Sequence, residues 1–298
     1  MDFVLVTYVP FYRFHEVVVW QLLNAKRLGV GYVVAYVDNV YTEEQVGLLY
    51  MIVDRYSENS KVKVVVVPGN WRSRCGTWFS IIRAHLRAGK PFVVIDSDNE
   101  VVDPDKVLRF IDWVVREHGP MAGVLDTTAL VGGRGIPLQF AARTVSVVEE
   151  DGMKIGFYET YRPGLRNNPF FFGPKQIVIL NIASGGVYDK EKVGRTLDRI
   201  ERAFTAVNPV LRNYISDETL LGLFAHLLGV GVIAYLVGGT VHHTHNSTPG
   251  VTQRHYKHLV ARAHYEFAKA LCREGLCNRW YLLRYFLSNL YNALGWLV

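Results

Sequence analysis

The chain has 298 residues, half of them hydrophobic and a fifth charged, with a formal net charge of +6; it can hold one large domain or two small ones around a full apolar core. The mild positive charge suits a phosphate-bearing substrate or an anionic surface, and neither a Lys/Arg block nor a nucleic-acid motif accompanies it. There is no run of about 18 apolar residues to form a spanning helix, and the three cysteines, Cys75, Cys272 and Cys277, form no metal-ligand pattern and no disulfide framework.

The opening MDFVLVTYVP reads as a strand and lacks the basic start and small-residue cleavage site of a signal peptide. A helical stretch follows from about His15 to Leu28, then a strand at 32–38 (YVVAYVD) and a helix from Thr42 with Glu43 and Glu44 in its first turn. Next come a strand at 61–68 (KVKVVVVP), a helix over about 77–88, and PFVVIDSD. These strands are β-branched and nearly continuous in hydrophobicity, the pattern of a parallel sheet covered by helices on both faces. Residues 119–175 are rich in Gly, Pro, Arg and aromatics and read as long loops. Order returns with QIVILNIASGG at 176–186, helices over about 190–204 and 217–228, and the strand VIAYLVGG at 232–239. After the His-rich VHHTHN the remainder reads as helical. Cys272 and Cys277 are close enough to pair across a short loop, although a reducing cytoplasm is the default expectation.

Chemistry concentrates where VVIDSDNEV ends the fourth strand. Ligands of open α/β sheets bind at the carboxyl ends of strands, and a period of two puts Asp96 and Asp98 on one face with Ser97 opposite. Two hard oxygen donors can hold Mg²⁺ or Mn²⁺ while leaving positions for phosphate oxygens; a polar turn closing a buried strand is the plainer reading. Asp103-Pro-Asp105 repeats the spacing, but its proline marks a helix start, so Asp103 reads as an N-cap. There is no G-x-x-x-x-G-K-[ST], and Gly29-Val-Gly31 and Gly229-Val-Gly231 precede strands rather than follow them, against dinucleotide redox chemistry.

The ordered set of TYVP at 7–10, VAYVDN at 34–39, NWRSRCGTWFSIIRAHLRAGKPFVVIDSDNEV at 70–101, NIASGGVYDKEKV at 181–193 and SDETLLGLFAHLLGVG at 216–231 resembles the GT-A superfamily of nucleotide-sugar-dependent glycosyltransferases, most closely the family 2-like inverting enzymes. The resemblance covers about residues 2–245. It implies a Rossmann-like, mostly parallel central sheet flanked by helices. The catalytic domain would span 1–245, with a nucleotide-sugar half at 1–105, an acceptor half at 106–245, and a helical extension at 246–298. Thr7, Tyr8, Asp38, Arg72, Gly76, Asp96 and Ser97 would line the donor pocket, and Gly185 and Gly186 the acceptor side. Asp96 and Asp98, with His243 and His245 by alternation among His242, His243 and His245, would hold Mn²⁺ or Mg²⁺.

Asp217, or failing that Glu218, would take the proton from the acceptor hydroxyl; the same pair also suits a helix N-terminus with no catalysis. The order Asp-Glu departs from the family's more usual Glu-Asp. Arg72, Arg74, Arg162 and Arg166 are candidates for phosphate contacts, or ordinary solvated charges. The implied partners are a GDP- or UDP-sugar and a sugar, lipid-phosphate or small phosphorylated acceptor, without nucleic acid. CNRWYLLRYFLSNLYNALGWLV, with Leu283, Leu287, Leu290 and Leu294 on one stripe, would give peripheral contact with the inner face of a membrane or pack on protein. A retaining synthase of the mannosyl-3-phosphoglycerate type and an inactive glycan- or membrane-binding module are the competing readings.

Overall fold

The computed structural model describes residues 2–58, 60–117, 119–125, 143–162, 169–170, 172–173, 175–183, 187–243, 254–278, 280–283 and 286–287. Strand β1 (Val4–Pro10) runs through a 3₁₀ turn into helix α1 (Phe14–Arg27); β2 (Tyr32–Asp38), α2 (Glu43–Ser57), β3 (Lys63–Pro68), α3 (Arg74–Ala88) and β4 (Phe92–Asp96) complete the expected alternation. Thr42 closes a capping box with Gln45 at the start of α2, and Ser73 caps α3 by accepting from the Gly76 amide. A short strand β5 (Asn99–Val101) follows the aspartates. Asp103 then accepts from the Lys106 amide, with Pro104 opening α4 (Pro104–Arg116), so the second D-x-D is a helix start.

The long-loop expectation for 119–175 is corrected. It contains β6 (Met121–Leu125), buried throughout, and a hairpin of β7 (Thr144–Glu150) and β8 (Met153–Glu159). Asp151 (φ 49°) and Gly152 (φ 73°) make its turn, both in the left-handed region that two-residue hairpin turns demand. Beyond it lie β9 (Ile177–Leu180), α5 (Lys190–Thr205), α6 (Pro209–Arg212), α7 (Asp217–Leu227), β10 (Val232–Val237), β11 (Thr240–His242) and α8 (Arg254–Arg273).

The main sheet has the order β3-β2-β1-β4-β9-β6-β10-β8-β7, with β9 and β8 antiparallel to their neighbours and the other strands running one way. It is therefore mostly parallel. Alternation divides its core in two. Val4, Val6 and Tyr8 face α3, α5, α7 and α8, while Leu5 and Val9 face α1, α2 and α4. Residues 261–271 of the expected C-terminal extension bring Ala263, Phe267 and Leu271 into the first of these cores. Cys272 and Cys277 are joined as a disulfide just beyond α8.

From β1 the chain moves outward to β2 and β3, then crosses back to β4 on the other side of β1. The carboxyl ends of β1 and β4 therefore flank a topological switch point, where open α/β sheets leave a crevice for ligands. Tyr8 and Asp96 are register partners at that point.

Candidate active site

The crevice is built around a lysine. Lys175, just before β9, has a side chain only 2% exposed, and its Nζ lies 2.8 Å from Asp217 Oδ2, 3.4 Å from Asp96 Oδ2 and 3.8 Å from Glu218 Oε1. It also donates to the Tyr8 hydroxyl at 3.0 Å. One cation thus ties the end of β4 to the N-terminus of α7. The helix starts there because Ser216 accepts from the Thr219 amide and two acidic residues occupy the positive end of its dipole.

Asp217 and Glu218 occupy different environments. Asp217 Oδ2 accepts from the Tyr8 hydroxyl at 2.9 Å and from the Trp78 indole at 3.1 Å in addition to Lys175. Burial alone would raise its pKa, but the charges of Lys175 and Arg74 and these donors hold the carboxyl well below the usual range. Glu218 stays 23% exposed at the side chain. Burial, then the charge of Asp217 and more weakly that of Asp96, push its carboxyl up to about 7 against the opposing pull of Lys175. Arg74 also faces this pair, and its pKa is raised by Asp217 and Tyr8 despite its own burial. The arrangement sets a carboxyl whose pKa is held down by its cations and donors beside one whose pKa is pushed up toward neutrality, a division typical of acid–base sites.

On the other side of Asp96, ribbon β5–β11 pairs Asn99 with His242 and Val101 with Thr240. It brings His242 Nδ1 to 3.6 Å from Asp98 Oδ1. Burial, then the nearby charge of Asp96, raises the Asp98 pKa. Asp98 and His242 offer one carboxylate and one imidazole, donor types that suit a divalent cation, while Asp96 turns an oxygen toward Lys175. Among the described residues no three His, Cys, Asp or Glu side chains converge on one point.

His243, expected from alternation to point toward the metal, instead stacks on Trp20 at 4.5 Å between ring centres, with Nε2 2.8 Å from Glu100 Oε2. The histidine that meets Asp98 is His242, because the ribbon turns the strand after Gly238 and Gly239 (φ 88° and 98°) and resets the alternation. His245 lies outside the described residues.

The remaining donor-side residues divide by role. Asp38 Oδ1 accepts the backbone N–H groups of Asn39, Trp71 and Arg72 at 2.8, 2.6 and 3.1 Å, and so pins the loop between β3 and α3 against the end of β2. That pinning holds Arg72 at a positive φ of 56°. Gly76 is fixed by packing: a Cβ there would come within 2.6 Å of the Trp71 carbonyl oxygen. Thr7 and Ser97 are both buried, Thr7 on the sheet face opposite Tyr8.

The glycines expected on the acceptor side follow β9 in the chain. Strand β9 is antiparallel, so it carries the chain from Lys175 at the crevice to Asn181 and Ala183 at the opposite edge of the sheet. There the Asn181 amide donates to the Pro120 carbonyl and the Ala183 amide to His85 Nε2. Gly185 and Gly186 themselves lie outside the described residues. Arg162 follows β8 at that same far edge, and Arg166 is outside the described residues.

Lys175 and Trp78 are the site residues that sequence reasoning missed. A signal for Lys175 existed: a single charge set in PFFFGPKQIVIL has apolar neighbours on both sides, an arrangement that buries a cation only when a carboxylate awaits it.

No family model matches the chain, and no curated protein matches it in sequence. Solved structures do. The mannosyltransferase PcManGT from Pyrobaculum calidifontis, in complex with GDP-Man and Mn²⁺, is 10% identical over 98% of this chain and 75% of its own, with a TM-score of 0.43. The apo UDP-glucose pyrophosphorylase is 9% identical over 80% and 92%, at 0.44. The galactosyltransferase LgtC, with donor and acceptor sugar analogs, is 13% identical over 74% and 70%, at 0.39. These values describe a distant overlap of folds, and the functional reading rests on the site.

Proposed function

We propose that the chain is a GT-A-type, metal-dependent glycosyltransferase that moves a sugar from a nucleoside diphosphate donor to an acceptor with inversion at the anomeric carbon. The observation that carries this reading is the switch-point constellation. Asp96 and Asp98 stand at the carboxyl end of β4, and Lys175 links Asp96 to a carboxylate pair of split basicity on α7. Asp38 and the loop from Gly69 to Ser73 would frame the nucleoside. Asp98, Asp96 and His242 would hold Mn²⁺ or Mg²⁺, which supplies charge neutralisation for the leaving diphosphate.

The roles of the acid pair follow from their surroundings. Glu218 is the base, since it retains exposure to the crevice and a pKa matched to neutral pH. Asp217 is the anchor that fixes Lys175, Tyr8 and Trp78 about it. This ordering reverses the expectation that Asp217 is first choice as base. Lys175, held between Asp96 and Asp217, keeps a positive charge beside the donor diphosphate throughout. The acceptor class we favour is a lipid phosphate or other phosphorylated molecule at a membrane surface on the cytoplasmic side. Trp280, Leu283 and Phe286, spaced by three residues beyond α8, are exposed together and would provide the peripheral contact.

Two measurements test the reading. The rate should rise with pH through about 7 as Glu218 loses its proton, because the deprotonated form is the base; a profile flat from pH 5.5 to 8.5 removes Glu218 from that role. Proton NMR of the product should show the anomeric configuration opposite to the donor's. Retention would contradict the single displacement proposed here.

A further inference from the structure

Three residues of α1, Trp20, Asn24 and Arg27, are spaced four and three apart and so line one face of the helix. All three act on the β5–β11 ribbon. Asn24 is completely buried and spends both ends of its carboxamide there: Nδ2 donates to the Asn99 carbonyl at 2.9 Å, and Oδ1 accepts the Val101 N–H at 2.9 Å. A side chain bonded in this way occupies the place of a neighbouring strand along an edge that would otherwise be left with unpaired backbone groups.

Arg27 donates to the Glu100 carboxylate and to the Val101 carbonyl. Trp20 covers the ring of His243, whose Nε2 meets the other Glu100 oxygen at 2.8 Å. The bonding continues to the aspartates, since Asn99 Nδ2 donates to Asp98 Oδ1 at 3.1 Å.

A ribbon of two three-residue strands has little stability of its own. Yet it carries His242 and adjoins Asp98, two of the residues assigned above to the cation. We propose that Asn24, braced by Trp20 and Arg27, is a positioning residue for that site: it fixes the Asp98–His242 geometry from the helix behind it. The inference rests on the metal-dependent reading above and concerns residues that touch neither metal nor sugar. Outer partners that orient metal ligands typically change affinity about 10- to 100-fold when lost.

The test titrates Mn²⁺ alone into the full chain, reading free Mn²⁺ by electron paramagnetic resonance, for the wild type, Asp98→Ala, Asn24→Leu, Trp20→Leu, Arg27→Ala and Arg27→Lys. GDP and UDP binding is measured in parallel with EDTA present. Wild-type uptake that Asp98→Ala abolishes supports the functional reading; uptake that is absent, or unchanged in Asp98→Ala, overturns that reading and the inference with it. Given Asp98-dependent uptake, Asn24→Leu and Trp20→Leu should weaken Mn²⁺ binding at least about ten-fold while metal-free nucleotide binding stays within about two-fold. Arg27→Lys, which keeps a donor for the Val101 carbonyl, should bind Mn²⁺ more tightly than Arg27→Ala. Mn²⁺ affinity within about two-fold of wild type in the folded variants overturns the positioning role and leaves the functional reading standing. Trp20 is partly exposed, so its variant decides the matter if Asn24→Leu does not fold.

Discussion

Glu218→Gln should cut turnover by about 10²- to 10⁴-fold, the contribution of a positioned general base, with donor affinity and thermal stability nearly unchanged. The substitution preserves size and keeps an oxygen near Lys175, but amide and carboxylate differ in the one property the role requires. The side chain is partly exposed, and Lys175 lies 3.8 Å from it against 2.8 Å from Asp217, so the substitution gives up the longer of the two contacts that this lysine makes with α7. The residual rate should also lose its dependence on pH around 7, since the titrating group is gone. Asp217→Asn should behave differently. It strips an acceptor of three donors, and activity and stability should fall together. Turnover by Glu218→Gln within a factor of about three of wild type contradicts the assignment.

Lys175→Met should cost about 3–5 kcal/mol of stability, because the change leaves Asp217 ionised and buried without the ammonium 2.8 Å from it. Methionine fills a similar volume, so the loss reflects charge more than packing. A chain of this size should then show a fall in Tm on the order of 10 °C. Lys175→Met combined with Asp217→Asn should lose less than the sum of the single changes, since the uncompensated charge disappears with its partner. Chemical denaturation at neutral pH, read by tryptophan fluorescence, measures all three variants; additive losses, or a loss under about 1 kcal/mol for Lys175→Met, contradict the role given to the ion pair.

The first hundred residues were legible because parallel strands buried on both faces need continuous β-branched runs, which VVAYVD and FVVID supply, and VVVVP carries the same run at the sheet edge, where β3 is only half-buried. Asp103 was legible as a cap because its proline fixes where the helix begins. The hairpin at 144–159 was hidden by its own exposure: β7 carries Val and Glu on an open edge with no buried face to create an alternation. Asp151-Gly152 was the one local signal present.

The direction of β9 was not legible at all. Nothing within QIVIL records which way it runs; that is settled by pairing with β4 and β6. The site divided the same way. Asp96 and Asp98 announced themselves by ending a strand, whereas Lys175 reaches its partners across 42 and 79 residues of sequence separation from Asp217 and Asp96, a distance no local pattern spans. The choice between Asp217 and Glu218 rests on what surrounds each carboxylate, which spacing cannot express.

The central claim is that Asp98 and a divalent cation act on a nucleotide sugar. It is tested most directly by measuring nucleoside diphosphate release from a panel of GDP- and UDP-sugars, with Mn²⁺ and with EDTA, for the wild type and Asp98→Ala. The account predicts release from at least one donor by the wild type with Mn²⁺, and its loss both in EDTA and in Asp98→Ala. A panel in which no donor is turned over or bound in a metal- and Asp98-dependent way contradicts it.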